Sequence, residues 1–384
     1  MSSLYFFFSN LLTKERLSWM LSALDARVDA TIFLTGDAGL ACSHDKRLID
    51  VIAELKSDKT NIVVDENRAN ELNAVVHGLQ MLNDIQYLKL TSNEFWTTVI
   101  RSFSPDPRKV IPGKPRFGFM LLDGPYQNRA SVHAINALTH ARDAGFIPDL
   151  FLYLDGVHAA HVHQKPTTFI NIGDAIHQLA QTASTDTSKP CIFACARCGT
   201  ARGYASQPFD DGITKSIHAI PEVDFVNLNE IIKQFQNPWG ILSTGCALSR
   251  HDSNDSTSLP AFNVIVTHSP YGTEHAYGAV SMAMAAAMNY DIPTNLIFIE
   301  DGSFCVSVNF RNGLEDQLYD IPGILRSIRD EALIHSYVYK PSMVERRIGL
   351  MPSLDNVIEL SPERLGKLLV KGGEHACITR SFLF

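Results

Sequence analysis

Two stretches of this chain repeat one another in order and spacing, and that repeat restricts the fold more than anything else in the sequence. "FGFMLLDGPYQNRASVHAINALTHARDAGFIPDLFLYLDGVHAA" and "FNVIVTHSPYGTEHAYGAVSMAMAAAMNYDIPTNLIFIEDGSFCV" each pass from an apolar run to Pro-Tyr and an alanine-rich helical stretch. Each then reaches a second apolar run and Asp-Gly. Pro125 precedes Asp155 by 30 positions, and Pro270 precedes Asp301 by 31. A fixed order at a fixed period marks a repeated structural unit. The N-terminus carries a fainter copy, with "SLYFFFSN" as a strand, "KERLSWMLSALDA" as a helix and "DATIFLTGDAG" as a strand ending near Asp37.

The chain therefore divides into three units, 1–105, 116–245 and 261–384. "SFSPDPRKVIPGKPR" separates the first two with four prolines, which favour extended backbone. "SRHDSNDSTSLP" separates the last two and has the polar composition of a solvated connector. At 384 residues the chain exceeds one ordinary core, which agrees with several units.

Within the middle unit, "FGFMLL", "DLFLYL", "CIFAC" and "VDFVNL" read as strands separated by helical stretches. Near-continuous apolar strands alternating with helices imply an α/β fold, each unit a mainly parallel sheet flanked by helices. Ligands of such sheets bind beyond the carboxyl ends of the strands. In the middle unit those ends are "DGPY", "LDGVH" and "CARC", so Tyr126, Asp155, His158, Cys195 and Cys198 are expected to converge on one crevice.

The stretch "PCIFACARCGTARGY" holds three of seven cysteines. Cys195 closes a strand, and the residues after it form a first helical turn ending near Gly203. Helix dipole and unpaired amides stabilise a thiolate at that position, and Arg197 or Arg202 adds to the effect. Cys198 lies one turn on, on the same face. Cys191 lies roughly 13 Å back along the strand and is expected in the core. Three chemistries fit the Cys195/Cys198 pair: a metal site completed by His158, His161 and His163 of "DGVHAAHVHQ", a redox dithiol, and a thiolate that accepts sulfur as a persulfide. The residues alone do not choose between the last two.

The chain resembles the DsrE/DsrF/DsrH family, whose Tus counterparts are TusD, TusC and TusB, proteins that relay sulfur as a cysteine persulfide. The resemblance spans nearly the whole chain in the order DsrH-like, DsrE-like, DsrF-like. It is carried by "CARCGTARG", a strand-terminal cysteine before a helix with Arg-Gly, and by the upstream Pro-Tyr and "DGV" in the right order. It places the sulfur-accepting cysteine at Cys195, with Cys198 as the frequent second cysteine. Tyr339 of "SYVYKPSMVERRIGL" stands in the corresponding place of the third unit, and "TNIVVDENRANEL" of the first has no thiol. One fused chain departs from the family's three separate subunits. Cys42 and Cys305 are expected to serve packing, although DsrH-like proteins can carry a cysteine of their own.

The resemblance implies a sulfurtransferase or sulfur carrier exchanging sulfur with small carriers of the TusA or DsrC/TusE type. It also implies a homodimer that restores two copies of each subunit, for which the helix "AVSMAMAAAMNY" is a candidate packing surface. Cys198 would resolve or shield the persulfide. Arg202 would steady it or cap its helix, Asp155 would act in the crevice or serve the turn, and Tyr126 would donate a hydrogen bond or pack as Tyr271 does. For Asp301, in the same slot as Asp155, turn chemistry is the expectation. A metal or redox protein and a non-catalytic scaffold are the alternatives.

Composition narrows the remaining classes. A net charge of −8, from 33 basic and 41 acidic residues, argues against general affinity for nucleic acid. No apolar segment reaches the roughly 18 residues of a membrane span. "MSSLYFFFSNLL" has no basic residues before its apolar run and reads as a strand, not a signal peptide. The odd cysteine count does not suggest a secreted disulfide scaffold, so a cytoplasmic protein with reduced thiols is expected. No glycine-rich phosphate loop follows a first strand, so no organic cofactor is implied.

Overall fold

A computed structural model of the chain describes residues 2–9, 13–23, 29–39, 60–65, 88–104, 115–181, 189–204, 215–236, 240–252, 261–308, 319–371 and 379–384. It is an α/β structure of mainly parallel sheets flanked by helices, in agreement with the strand pattern.

The middle segment contains β5 (Arg116–Leu121), β6 (Ile147–Leu152), β7 (Ile192–Cys195), β8 (Asp224–Val226) and β9 (Gly240–Ser243), all parallel in the order β8-β7-β6-β5-β9. The third segment repeats this topology with β11 (Ala261–Val266), β12 (Thr294–Phe298), β13 (Ile334–Tyr339), β14 (Val357–Leu360) and β15 (Thr379–Leu383), in the order β14-β13-β12-β11-β15. The first segment supplies parallel β1 (Ser2–Phe8), β2 (Asp29–Leu34), β3 (Thr60–Asp65) and β4 (Leu88–Leu90).

The first and third segments share one sheet of ten strands. β10 (Cys246–Asp252) joins them by pairing antiparallel with β1 on one side and β15 on the other. The expected connector from 249 to 260 is thus corrected over 249–252, which lie in this strand; 253–260 fall outside the described residues. Cys246, Ala247 and Leu248 anchor the strand in the core, and the ladder with β1 carries its polar continuation to Asp252, while β15 pairs with it only as far as Ser249. Most of the proline-rich break, 105–114, also lies outside the described residues.

The unbroken apolar run of β1 follows from burial on both faces. Leu4, Phe6 and Phe8 pack with Trp19 of α1 (Lys14–Ala23) and with Leu365, Leu368 and Leu369 of α10 (Pro362–Lys371). Phe7 points the other way, into the core that holds Phe95, Trp96 and Val99 of α2 (Ser92–Phe103). A capping box between Thr91 and Glu94 starts α2.

The helices also join the segments into a ring. α2 packs on α3 (Ala130–Asp143), α6 (Leu228–Phe235) packs on α7 (His275–Tyr290), and α10 packs on α1. Each seam thus sets the last helix of one segment on the first helix of the next. α7 contains the segment expected to mediate dimerisation, and one of its faces covers its own strands. Ala279, Val280, Met282, Ala283, Ala286 and Ala287 are buried, and the helix packs on β11 and β12 as well as on α6.

Candidate functional site

The three seams repeat one joint with different side chains. In each, a residue with positive φ at the end of a second strand faces the first helix of the next segment. These are Gly36 (φ 55°), Leu154 (φ 52°) and Glu300 (φ 54°). Leu154 and Glu300 open 3-10 turns, Leu154–Ala160 and Glu300–Val306. Asp-Gly follows for a steric reason: a Cβ on Gly156 would collide with the Leu121 carbonyl, and one on Gly302 with that of Val266.

At the seam of third and first segments, Glu300 accepts hydrogen bonds from Arg16 Nε (3.0 Å) and Nη2 (2.8 Å) and from Trp19 Nε1 (3.4 Å). Where the middle segment meets the third, Leu154 instead lies against Gly278, and the Tyr153 hydroxyl donates to the Gly278 carbonyl (3.1 Å). A glycine therefore stands here where a buried tryptophan stands in the equivalent joint. At this seam the protein has a crevice of about 800 Å³.

Cys195 and Cys198 line that crevice with Tyr153, Arg197, Arg202 and, from the third segment, Glu274, Tyr277 and Tyr319. Apolar β7 ends at Cys195, whose extended backbone turns into the short helix α5 (Ala196–Ala201). Gly199 lets α5 close on β8, because a Cβ there would meet the Phe225 ring. Cys195 is 2 % exposed and Cys198 8 %. The Cys198 thiol is directed at the Cys195 sulfur and is the largest influence holding Cys195 below the ordinary thiol pKa. The amides of Cys198 and Arg197 and the Arg197 charge act in the same direction, and burial opposes them. Cys198 is pushed far up, because the proton it offers to Cys195 is held and because it is itself buried.

Burial holds the other described cysteines in the thiol form. Burial pushes Cys191 and Cys246 up to about 12, Asp149 adding to the effect at Cys191. Burial raises Cys305 as well, in agreement with packing. Cys191 is half-buried and accepts from Arg116 Nη2 (3.1 Å), which also pairs with buried Asp149. Cys42 lies outside the described residues.

Arg202, the C-cap of α5, binds Asp155 Oδ1 (2.6 Å) and Glu274 Oε2 (2.9 Å), and its Nη1 reaches the Cys198 carbonyl (3.4 Å). It therefore caps its helix and ties two segments together beside the thiols. Asp155 takes part through Arg202. Asp301 does more than shape a turn: Arg346 binds it at 2.8 Å and Glu15 of the first segment at 3.0 Å. Tyr339, Ser342 and Arg346 hold the places of Cys195, Cys198 and Arg202 along β13 and α9 (Lys340–Glu345). The Glu300 amide donates to Ser342 Oγ (2.9 Å), as the Leu154 amide faces the Cys198 sulfur.

Of the residues expected in the crevice, Asp155 does not line it and meets it only through Arg202, and two others are elsewhere. Tyr126 is exposed at a positive-φ turn (φ 69°), where its hydroxyl donates to Gln164 Oε1 (2.8 Å) and accepts from the Ile172 amide (3.3 Å). That turn aims the ring away from the cysteines. His158 leaves the 3-10 turn on another side and shares a hydrogen bond with the Tyr204 hydroxyl (2.9 Å), within an aromatic cluster of His161, Tyr204 and Phe225. Burial and nearby Arg202 depress its pKa. His161 and His163 meet edge to face, with ring centroids 5.8 Å apart, and neither lines the crevice of the thiols. Among the described residues no three His, Cys, Asp or Glu side chains form a group able to hold a metal ion.

Arg197 appears in the quoted motif, but Glu274, Tyr277 and Tyr319 carry no signal in the sequence. Glu274 and Tyr277 reach the site at the start of α7, which crosses from the third segment, and Tyr319, outside that helix, stacks on Tyr277 with ring centroids 3.7 Å apart. Among the described residues no helix is long and apolar enough to cross a membrane. No family model and no curated protein matches the chain.

Proposed function

We propose that the middle segment carries sulfane sulfur as a persulfide on Cys195 and relays it between thiol carriers. The observation that carries this reading is a thiol with a lowered pKa that lines an 800 Å³ crevice, while the other described thiols are raised. A thiolate attacks the outer sulfur of a donor persulfide, displaces the donor thiolate, and later yields the sulfur to an acceptor thiolate. Support also comes from the resemblance to the DsrE/DsrF/DsrH proteins. In that reading the first and third segments are DsrH-like and DsrF-like supports, the partners are small TusA-like or DsrC/TusE-like carriers, and the protein works in the cytoplasm. Assembly as a homodimer belongs to the same reading, and light scattering at micromolar concentration tests it.

The contact of the two sulfurs favours a second reading, a redox dithiol in which Cys195 and Cys198 interconvert with a disulfide. Incubation with a persulfidated carrier protein separates the two. A relay gains sulfur and passes it to a fresh thiol carrier, and Cys198→Ala still loads. A dithiol protein releases sulfide as it forms its disulfide, and it loses activity in both Cys195→Ser and Cys198→Ala.

A further inference from the structure

The crevice is far larger than one sulfur atom requires, and its volume of about 800 Å³ falls in the range of small-molecule sites, roughly 300–1,000 Å³. Its walls are of two kinds. Tyr153, Leu154, Tyr277, Val280 and Met284 offer apolar surface for a carbon skeleton. Charge comes from Arg197, Arg202 and Glu274. Arg202 is already shared by Asp155 and Glu274, so neither it nor Glu274 has a full charge left for a ligand. Arg197 is different. Its guanidinium has no hydrogen-bond or ion-pair partner among the described residues, and it lies close enough to act on the Cys195 thiol. A site that pairs an unspent cation with a reactive thiol and apolar walls selects a ligand with an anion and a sulfur on one small carbon frame.

We propose that this crevice binds a low-molecular-weight persulfide bearing a carboxylate, its anion on Arg197 and its terminal sulfur against Cys195. The proposal rests on the sulfur-carrying reading of Cys195 and names a small-molecule donor for it. In the step, the Cys195 thiolate attacks the terminal sulfur of R–S–S–H. The bond from Cys195 Sγ to that sulfur forms and the donor's S–S bond breaks. The donor leaves as a thiolate, which takes up the proton of the transferred sulfur. The oxidation state travels with the sulfur, so no external oxidant or reductant takes part.

Two donors of nearly the same shape test this on the full chain. N-acetylcysteine persulfide has the carboxylate, and N-acetylcysteamine persulfide replaces it with hydrogen. Second-order rates of sulfur loading are measured for each by quenched intact-mass analysis. A charge-assisted contact in a partly enclosed site predicts a preference of about tenfold or more for the carboxylate donor. In Arg197→Gln the ratio should fall toward one, and Arg197→Lys should keep part of it. Arg197 also influences the thiol itself, and that effect divides out of the ratio. Loading by the uncharged donor reports separately that the variant is folded. Equal rates for the two donors in the native chain, or an unchanged ratio in Arg197→Gln, would overturn the carboxylate site and leave the sulfur-carrying reading in place. Failure to load from either donor and from a persulfidated carrier protein would overturn both.

Discussion

Replacing Cys198 by alanine should raise the pKa of Cys195, and the structure sets the size of the effect. The Cys198 thiol directed at the Cys195 sulfur is the largest influence favouring the thiolate, while burial works against it. A hydrogen bond to a charged group contributes about 1.5–3 kcal/mol, and one pKa unit corresponds to about 1.4 kcal/mol. Cys198→Ala should therefore shift the inflection of Cys195 upward by about one to two units, and below that inflection the thiolate fraction drops by about tenfold to a hundredfold. Cys198→Ser keeps a donor in place and should shift it by less than half as much. The assay is alkylation with iodoacetamide between pH 5 and 10, with the Cys195 peptide quantified at each pH. The inflection is the quantity to read, since a more basic thiolate is also intrinsically more nucleophilic and lifts the plateau. Superimposable profiles for the native chain and Cys198→Ala would refute the argument that the second thiol sustains the first.

Three further outcomes follow from the seams and the corrected site. Arg202→Met should lower stability by about 1–2 kcal/mol, between an exposed and a buried ion pair, because it frees Asp155 and Glu274 together. Arg346→Met should do the same at the other joint, and the two losses should add in denaturant titrations because the residues share no partner. Gly156→Ala should cost more than about 3 kcal/mol through its collision with the Leu121 carbonyl, while Gly39→Ala, with open space around it, should leave the melting temperature nearly unchanged. Tyr126→Phe and His158→Ala should leave the rate of sulfur loading within about twofold, because neither side chain lines the crevice; a larger loss would restore them to the site.

Strand-forming runs and the helix after Cys195 were legible because burial on both faces leaves continuous apolar sequence, as in "LYFFF" and "FGFMLL". The equivalence of Tyr339 to Cys195 was legible for the same reason, each residue ending a third strand. β10 was not. Its polar half is held by backbone pairing with β1, which asks nothing of side-chain polarity, so that half reads as a connector. The rule that strand ends gather at one edge brought Tyr126 and His158 to the right edge of the sheet, but it says nothing of side-chain direction. A positive-φ turn and a 3-10 turn decide that direction. Glu274, Tyr277 and Tyr319 were invisible for a different reason. They belong to the seam between segments, and the packing of α7 on α6 is not written in either helix alone. Repeat spacing records the unit, whereas the site is built where two units meet.

The most direct test of the central claim is to locate the sulfur. The full chain is loaded with a persulfidated carrier, the free thiols are blocked, and fragment-ion mass spectrometry assigns the added sulfur among Cys191, Cys195 and Cys198. The account predicts one reductant-labile sulfur atom on Cys195 in the native chain and none on any thiol in Cys195→Ser, since an alcohol does not accept sulfur by this route. Sulfur found on Cys191, Cys198 or another cysteine, or undiminished loading in Cys195→Ser, would contradict it.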